Sequence, residues 1–139
     1  MTASRDLGAE TAVNMTGAIA VAIGGALGSL SRWGLSYFLN TLWPSLPPGT
    51  LSANLVGGYL IGFFVELFSL RSEIPPEAPL FVITGFLGGL TTFSTFSAEA
   101  VTLLARGQYF WALSHIASHL TGSLVMTVLG IATCRRLLP

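Results

Sequence analysis

The residues of this chain with chemistry to offer are few and concentrated. Residues 85–97 read Gly-Phe-Leu-Gly-Gly-Leu-Thr-Thr-Phe-Ser-Thr-Phe-Ser, so three glycines lead into a run of hydroxyl residues. Glycine and β-branched or hydroxyl side chains hold a continuous helix poorly, and a broken helix is expected here. Free carbonyls at a helix stop can coordinate a cation, while the free N–H groups and positive dipole end of a restart attract an anion. Thr91, Thr92, Ser94, Thr95 and Ser97 can donate to an anion or accept from water. Phe93 and Phe96, three apart, share a face of the restarted helix. Their positive ring edges could contact a small anion shedding its water, or the two rings could simply pack.

Elsewhere the polar residues stand alone. Asn54 is the lone amide of its apolar stretch, and it either faces a polar path or joins two helices. Arg32 is the lone full charge of the first stretch and fits an interfacial position. His115 and His119 lie four apart on one helical face, with Ser118 nearby and Ser123 continuing that face by a further turn. The spacing suits a metal, but without a nearby Asp, Glu or Cys it favours polar-path lining or an interhelical hydrogen bond. Glu66, Glu73, Glu77 and Glu99 are expected at span ends or in loops, and no nucleophile has a positioned base, so an enzyme is not indicated.

The elements that must position these residues are membrane helices. Of 139 residues 52% are hydrophobic and only 9% charged, and the mean hydropathy is +0.73. That is more apolar surface than a soluble domain of this size can bury, so a bilayer is the expected solvent. A span needs about 20 apolar residues. Four fit, over residues 16–39, 48–69, 79–105 and 109–137, in a single membrane domain covering residues 1–139. A Pro-rich turn, Trp43-Pro-Ser-Leu-Pro-Pro48, separates the first two. Asp6 and Glu10 offset Arg5, so a signal-peptide n-region is missing and the first run reads as a retained helix. Cys134 is a lone cysteine and reads as a small apolar residue. The six basic residues are all Arg and scattered, which suggests no nucleic-acid surface. Arg5, Arg71, Arg135 and Arg136 fall on one side against Arg106 and Arg32 on the other, a weak orientation signal. Gly24 and Gly28, Gly58 and Gly62, and Gly85 and Gly89 have the four-residue spacing that lets helices approach closely in lipid. Gly24-Gly25-Ala-Leu-Gly28 lacks the preceding strand of a nucleotide-binding loop.

Three ordered motifs carry a resemblance over most of the chain. They are Gly24-Gly-Ala-Leu-Gly-Ser-Leu-Ser-Arg-Trp33, Gly49-Thr-Leu-Ser-Ala-Asn-Leu-Val-Gly57 and the 85–97 segment, and together they resemble the CrcB/Fluc family of fluoride channels. The resemblance implies an all-α integral membrane protein of four helices, the third broken mid-membrane, assembled as an antiparallel dual-topology homodimer. It implies two fluoride pathways flanking a central sodium ion held by backbone carbonyls of Gly88 and Thr91 from both subunits. Phe93, Phe96 and Asn54 would line the fluoride path, Ser94 and Thr95 would belong to its polar break, and Arg32 would sit near a vestibule. Family members usually carry Tyr and then Ser, four apart, where this chain has His115 and His119, with Ser123 matching a further Ser. Two titratable groups on the path imply conductance that changes between about pH 5 and 8.

The expected activity is passive fluoride export across a bacterial inner membrane, since no nucleotide motif is present. A small dual-topology multidrug antiporter would need an embedded carboxylate, and there is no Asp or Glu between Glu10 and Glu66. A non-conducting assembly subunit would not require a polar break in its third helix.

Overall fold

The computed structural model describes residues 15–41 and 47–138. The N-terminal segment with Arg5, Asp6 and Glu10, and Trp43 to Leu46 of the expected turn, lie outside the described residues. Helices α1 (Met15–Leu39) and α2 (Pro48–Leu70) form the first pair. The third span starts with one turn of α-helix, α3 (Glu77–Pro79), and widens into a π-helical stretch (Leu80–Leu87). It then returns to α-helix in α4 (Gly88–Leu90) and continues as α5 (Phe93–Ala105). A turn through Gly107, whose φ of 68° suits glycine, leads into α6 (Tyr109–Leu137). The four spans, Met15–Leu39, Pro48–Leu70, Glu77–Ala105 and Tyr109–Leu137, are each long and apolar enough to cross a membrane.

Small residues decide which helices touch. A Cβ on Gly24 would collide with the Phe81 carbonyl and one on Gly28 with the Phe86 carbonyl, while Gly85 and Gly89 lie against the α1 backbone in return. Thus α1 and the first half of the third span meet backbone to backbone. Gly58 and Gly62 do the same against Ser123 and Thr127 of α6, and Gly130 of α6 lies against Tyr59 of α2. In lipid such close approach supplies the van der Waals contact that the hydrophobic effect does not. The buried set mixes small residues, with Ala53, Ala112 and Cys134 fully enclosed, and a few leucines, Leu87, Leu90 and Leu103. Many other large apolar side chains point outward, Leu30, Leu113, Leu124 and Val128 among them.

The span ends are tied by polar contacts. Asn40 Oδ1, just past α1, accepts the Gly49 N–H at 2.8 Å, satisfying one of the unpaired donors of the first turn of α2. At the opposite end Arg135 of α6 donates to both carboxylate oxygens of Glu66 on α2, at 2.8 and 3.3 Å. The π-helical stretch is a departure from the plain helix that the composition of 80–87 suggests. Its apolar residues carry no signal for the wider winding, within which Gly85 packs closely against α1.

Candidate functional site

Helical hydrogen bonding stops between α4 and α5. Thr91 (φ −81°, ψ 155°) and Thr92 (φ −150°, ψ 117°) are both extended. Asn54 on α2 closes the gap from across the bundle. Its Oδ1 accepts the Thr92 N–H at 2.8 Å and its Nδ2 donates to the Thr92 carbonyl at 3.1 Å. The Thr92 hydroxyl caps α5 by accepting the Thr95 N–H at 3.1 Å. It also donates to Thr95 Oγ1 at 3.0 Å and lies 3.2 Å from Ser94 Oγ.

These substitutes free particular carbonyls. In a continuous helix the Thr92 N–H would donate to the Gly88 carbonyl and the Thr95 N–H to the Thr91 carbonyl. Here one goes to Asn54 and the other to Thr92 Oγ1, so Gly88 and Thr91 lose their helical donors. The Gly89 carbonyl, whose helical donor would be Phe93, instead accepts Arg32 Nε at 3.0 Å. Freed backbone oxygens are what a hard alkali cation binds in place of water, and Gly88 is exposed. The donor chemistry at Gly88 and Thr91 therefore fits a sodium ion.

Beyond Thr92 the polar groups continue along α5 and α6. Asn54 Nδ2 lies 3.1 Å from His119 Nδ1. Phe96 stacks on His115 with ring centroids 5.4 Å apart and 20° between planes, and it also lies 4.9 Å from His119. Phe93 is 5.4 Å from Phe96 and 79% exposed. Next comes Glu99, whose Oε1 accepts the Thr50 hydroxyl at 2.8 Å and whose Oε2 lies 3.5 Å from His115 Nε2. His115 Nε2 also lies 3.4 Å from the Phe96 carbonyl. A groove of about 390 Å³ lined by Asn54, Gly88, Thr91, Phe93 and Ser123 opens at one end of this string. A second, of about 220 Å³, opens at the other beside Thr95, Glu99 and Arg106.

A family profile described as CrcB-like protein, Camphor Resistance (CrcB), matches residues 19–131. The chain belongs to the CrcB family. A relative from Nitrosospira multiformis, named fluoride-specific ion channel FluC, is 65% identical over 84% of this chain and 91% of its own length. Relatives of the same name from Tolumonas auensis and Cupriavidus pinatubonensis are 59% and 58% identical, over 83% and 87% of this chain and 91% and 96% of theirs.

In this CrcB chain the predicted residues do not all meet at one point. Asn54, Phe96, His115 and His119 form one cluster; Ser94 and Thr95 belong to the cap of α5, while Phe93 and Ser123 line the larger groove. Arg32, half-buried, reaches the Gly89 carbonyl with its guanidinium, an acceptor that the interruption leaves open. One expectation is corrected: Glu99 is not at a span end. It lies inside α5, and a ligating atom from each of Glu99, His115 and His119 falls within 4.8 Å of the others, so the histidines do have a carboxylate neighbour. Sequence reasoning also missed Thr50. Both carried a signal, since Glu99 follows Phe96 by three residues and Thr50 precedes Asn54 by four, each on the face already singled out.

Proposed function

We propose that the protein is a passive fluoride channel of a bacterial inner membrane, working as an antiparallel homodimer with two pathways. The observation that carries this reading is the interruption at Thr91 and Thr92. It is held by Asn54 and continues into a string of N–H and O–H donors and aromatic edges between two open grooves. Extended backbone at membrane depth is tolerated only where protein or a water-filled path satisfies it, and Asn54 with the Thr92 hydroxyl does so here. The names of the relatives identify the anion as fluoride.

Fluoride is small and strongly hydrated, so the path must replace its water with several modest donors, leaving exit as easy as capture. Ser94, Thr95, His119 and Ser123 offer such donors, Phe93 and Phe96 offer positive ring edges, and Asn54, its amide engaged by Thr92 and His119, holds the wall of the path in place. Residues Gly88 and Thr91 would hold a structural sodium ion through their carbonyls, contributed by both subunits across the exposed face that carries Gly88 and Phe93. When bound, that ion supplies a fixed positive field beside the path. Arg32 anchors the end of α4 on the vestibule side by its bond to Gly89. His115, faced by Glu99, His119 and Phe96, lines the path beyond the cap of α5.

The test is fluoride efflux from liposomes containing the purified dimer, read with a fluoride electrode beside a chloride control. Fast fluoride release with little chloride release is expected, lost in a Phe93→Ile, Phe96→Ile double variant. In the same assay, exchanging sodium for a bulky organic cation should abolish release. Well-folded wild-type dimers that release no fluoride would refute the channel reading.

A further inference from the structure

The cluster of Glu99, His115 and His119 has the residue types of a divalent-metal site, two imidazoles and a carboxylate within 4.8 Å. The two imidazoles, unlike the carboxylate, could instead face an anion, and the protonation of their nitrogens decides which. A metal needs a nitrogen lone pair, whereas an anion needs an N–H.

Asn54 settles the matter for His119. An amide can be turned end for end, and only its hydrogen-bond network fixes which end is nitrogen. Here both ends are committed to one residue. Oδ1 accepts the Thr92 N–H and Nδ2 donates to the Thr92 carbonyl, and turning the amide would set donor against donor and acceptor against acceptor. The atom 3.1 Å from His119 Nδ1 is therefore the amide nitrogen, a donor, and Nδ1 must accept. In the neutral ring the proton then sits on Nε2. That atom is buried and has no hydrogen-bond partner, an N–H donor left open inside the bundle. A buried donor without an acceptor costs about 1–3 kcal/mol, so an acceptor that visits the site is bound favourably. Phe96 lies against the same ring at 4.9 Å.

We propose that His119 meets the conducted anion as an Nε2–H donor, and that Asn54 is the positioning residue that holds it in this tautomer. The two functions of Asn54 share one amide: its grip on the Thr92 backbone fixes the orientation that fixes the imidazole. His119 is thereby withheld from metal coordination through Nε2 although Glu99 and His115 stand beside it. The proposal rests on the fluoride-channel reading for the identity of the anion, but not for the tautomer.

The experiment is solid-state NMR of protein labelled with 15N-histidine in lipid bilayers, with the His119 signals assigned by comparison with His119→Ser. The expected spectrum shows His119 protonated on Nε2 and bare on Nδ1, with the Nε2 signal moving when sodium fluoride replaces sodium chloride. A proton on Nδ1, or an Nε2 signal indifferent to fluoride, overturns the proposal. Asn54→Asp presents an acceptor to Nδ1 and should reverse the tautomer. The expected results are fluoride efflux lower by about 10- to 100-fold, as for loss of one hydrogen bond to a charged group, and inhibition by zinc chloride that the wild type lacks. Zinc inhibition of the wild type that disappears in His119→Ser would also overturn it. The wild-type spectrum decides the tautomer whether or not the variant folds. Absence of wild-type fluoride efflux would refute the channel reading while leaving the tautomer to stand or fall on its own spectrum.

Discussion

Asn54 and Thr50 are polar residues one turn apart on α2, and each answers a need created elsewhere in the chain. Asn54 meets both backbone groups of Thr92, and Thr50, only 1% exposed, donates to the Glu99 carboxylate. Without that hydroxyl, one Glu99 oxygen would face apolar helix with nothing to accept from. Thr50→Val, nearly equal in shape, is therefore expected to destabilise the fold by about 1–3 kcal/mol, the cost of a polar group stripped of its partner. Denaturant titration of the protein in detergent micelles measures this, and an unchanged midpoint would mean that water replaces the hydroxyl. Glu99 also bears on the antiporter alternative, because it is an embedded carboxylate of the kind that mechanism needs. One of its oxygens is already occupied by Thr50 and the other lies beside His115, and the relatives are named as channels.

The fold at the level of elements is governed by where glycine removes bulk. Along α1 the glycines differ in what they face. Gly28 lies against the Phe86 carbonyl and Leu90 N–H, backbone that cannot yield, whereas Gly34 has nothing within 4 Å of where a Cβ would stand. Gly28→Leu should force α1 off the third span and cost at least about 1–3 kcal/mol through overpacking. Gly34→Ala should instead stabilise by about 0.5–1 kcal/mol, since alanine loses less backbone freedom in a helix. Thermal unfolding of the two variants side by side tests the contrast, and equal effects would contradict the assigned packing. The displacement of α1 would also carry Arg32 away from Gly89, so Gly28→Leu should lower fluoride efflux even where folded protein is recovered.

At the scale of the whole molecule, two features point beyond one chain. Phe93 is 79% exposed although it neighbours Phe96, and the larger groove beside it is open. The few arginines favour neither membrane orientation strongly. In a Cys134→Ala background, Ser72→Cys at the α2–α3 connection should be labelled by a membrane-impermeant maleimide to comparable extents from the two sides of sealed vesicles. Labelling from one side alone would contradict dual insertion. Hydropathy, the spacing of Pro and Gly, and three ordered motifs were enough to read four apolar helices and the family from the chain. They suffice because span length and helix breakers act locally, within a few residues of one another. Sequence also pointed to residues 85–97 as a weak helix, but not to the π-helical winding ahead of it. The roles of Thr50, Glu99 and Arg32, and the atom of His119 that carries its proton, came only from the tertiary structure. Each is settled by a partner about 50 residues away or more, Glu99 for Thr50, Gly89 for Arg32 and Asn54 for His119. A hydrogen bond is decided by what lies within about 3 Å in space, and no local pattern states that.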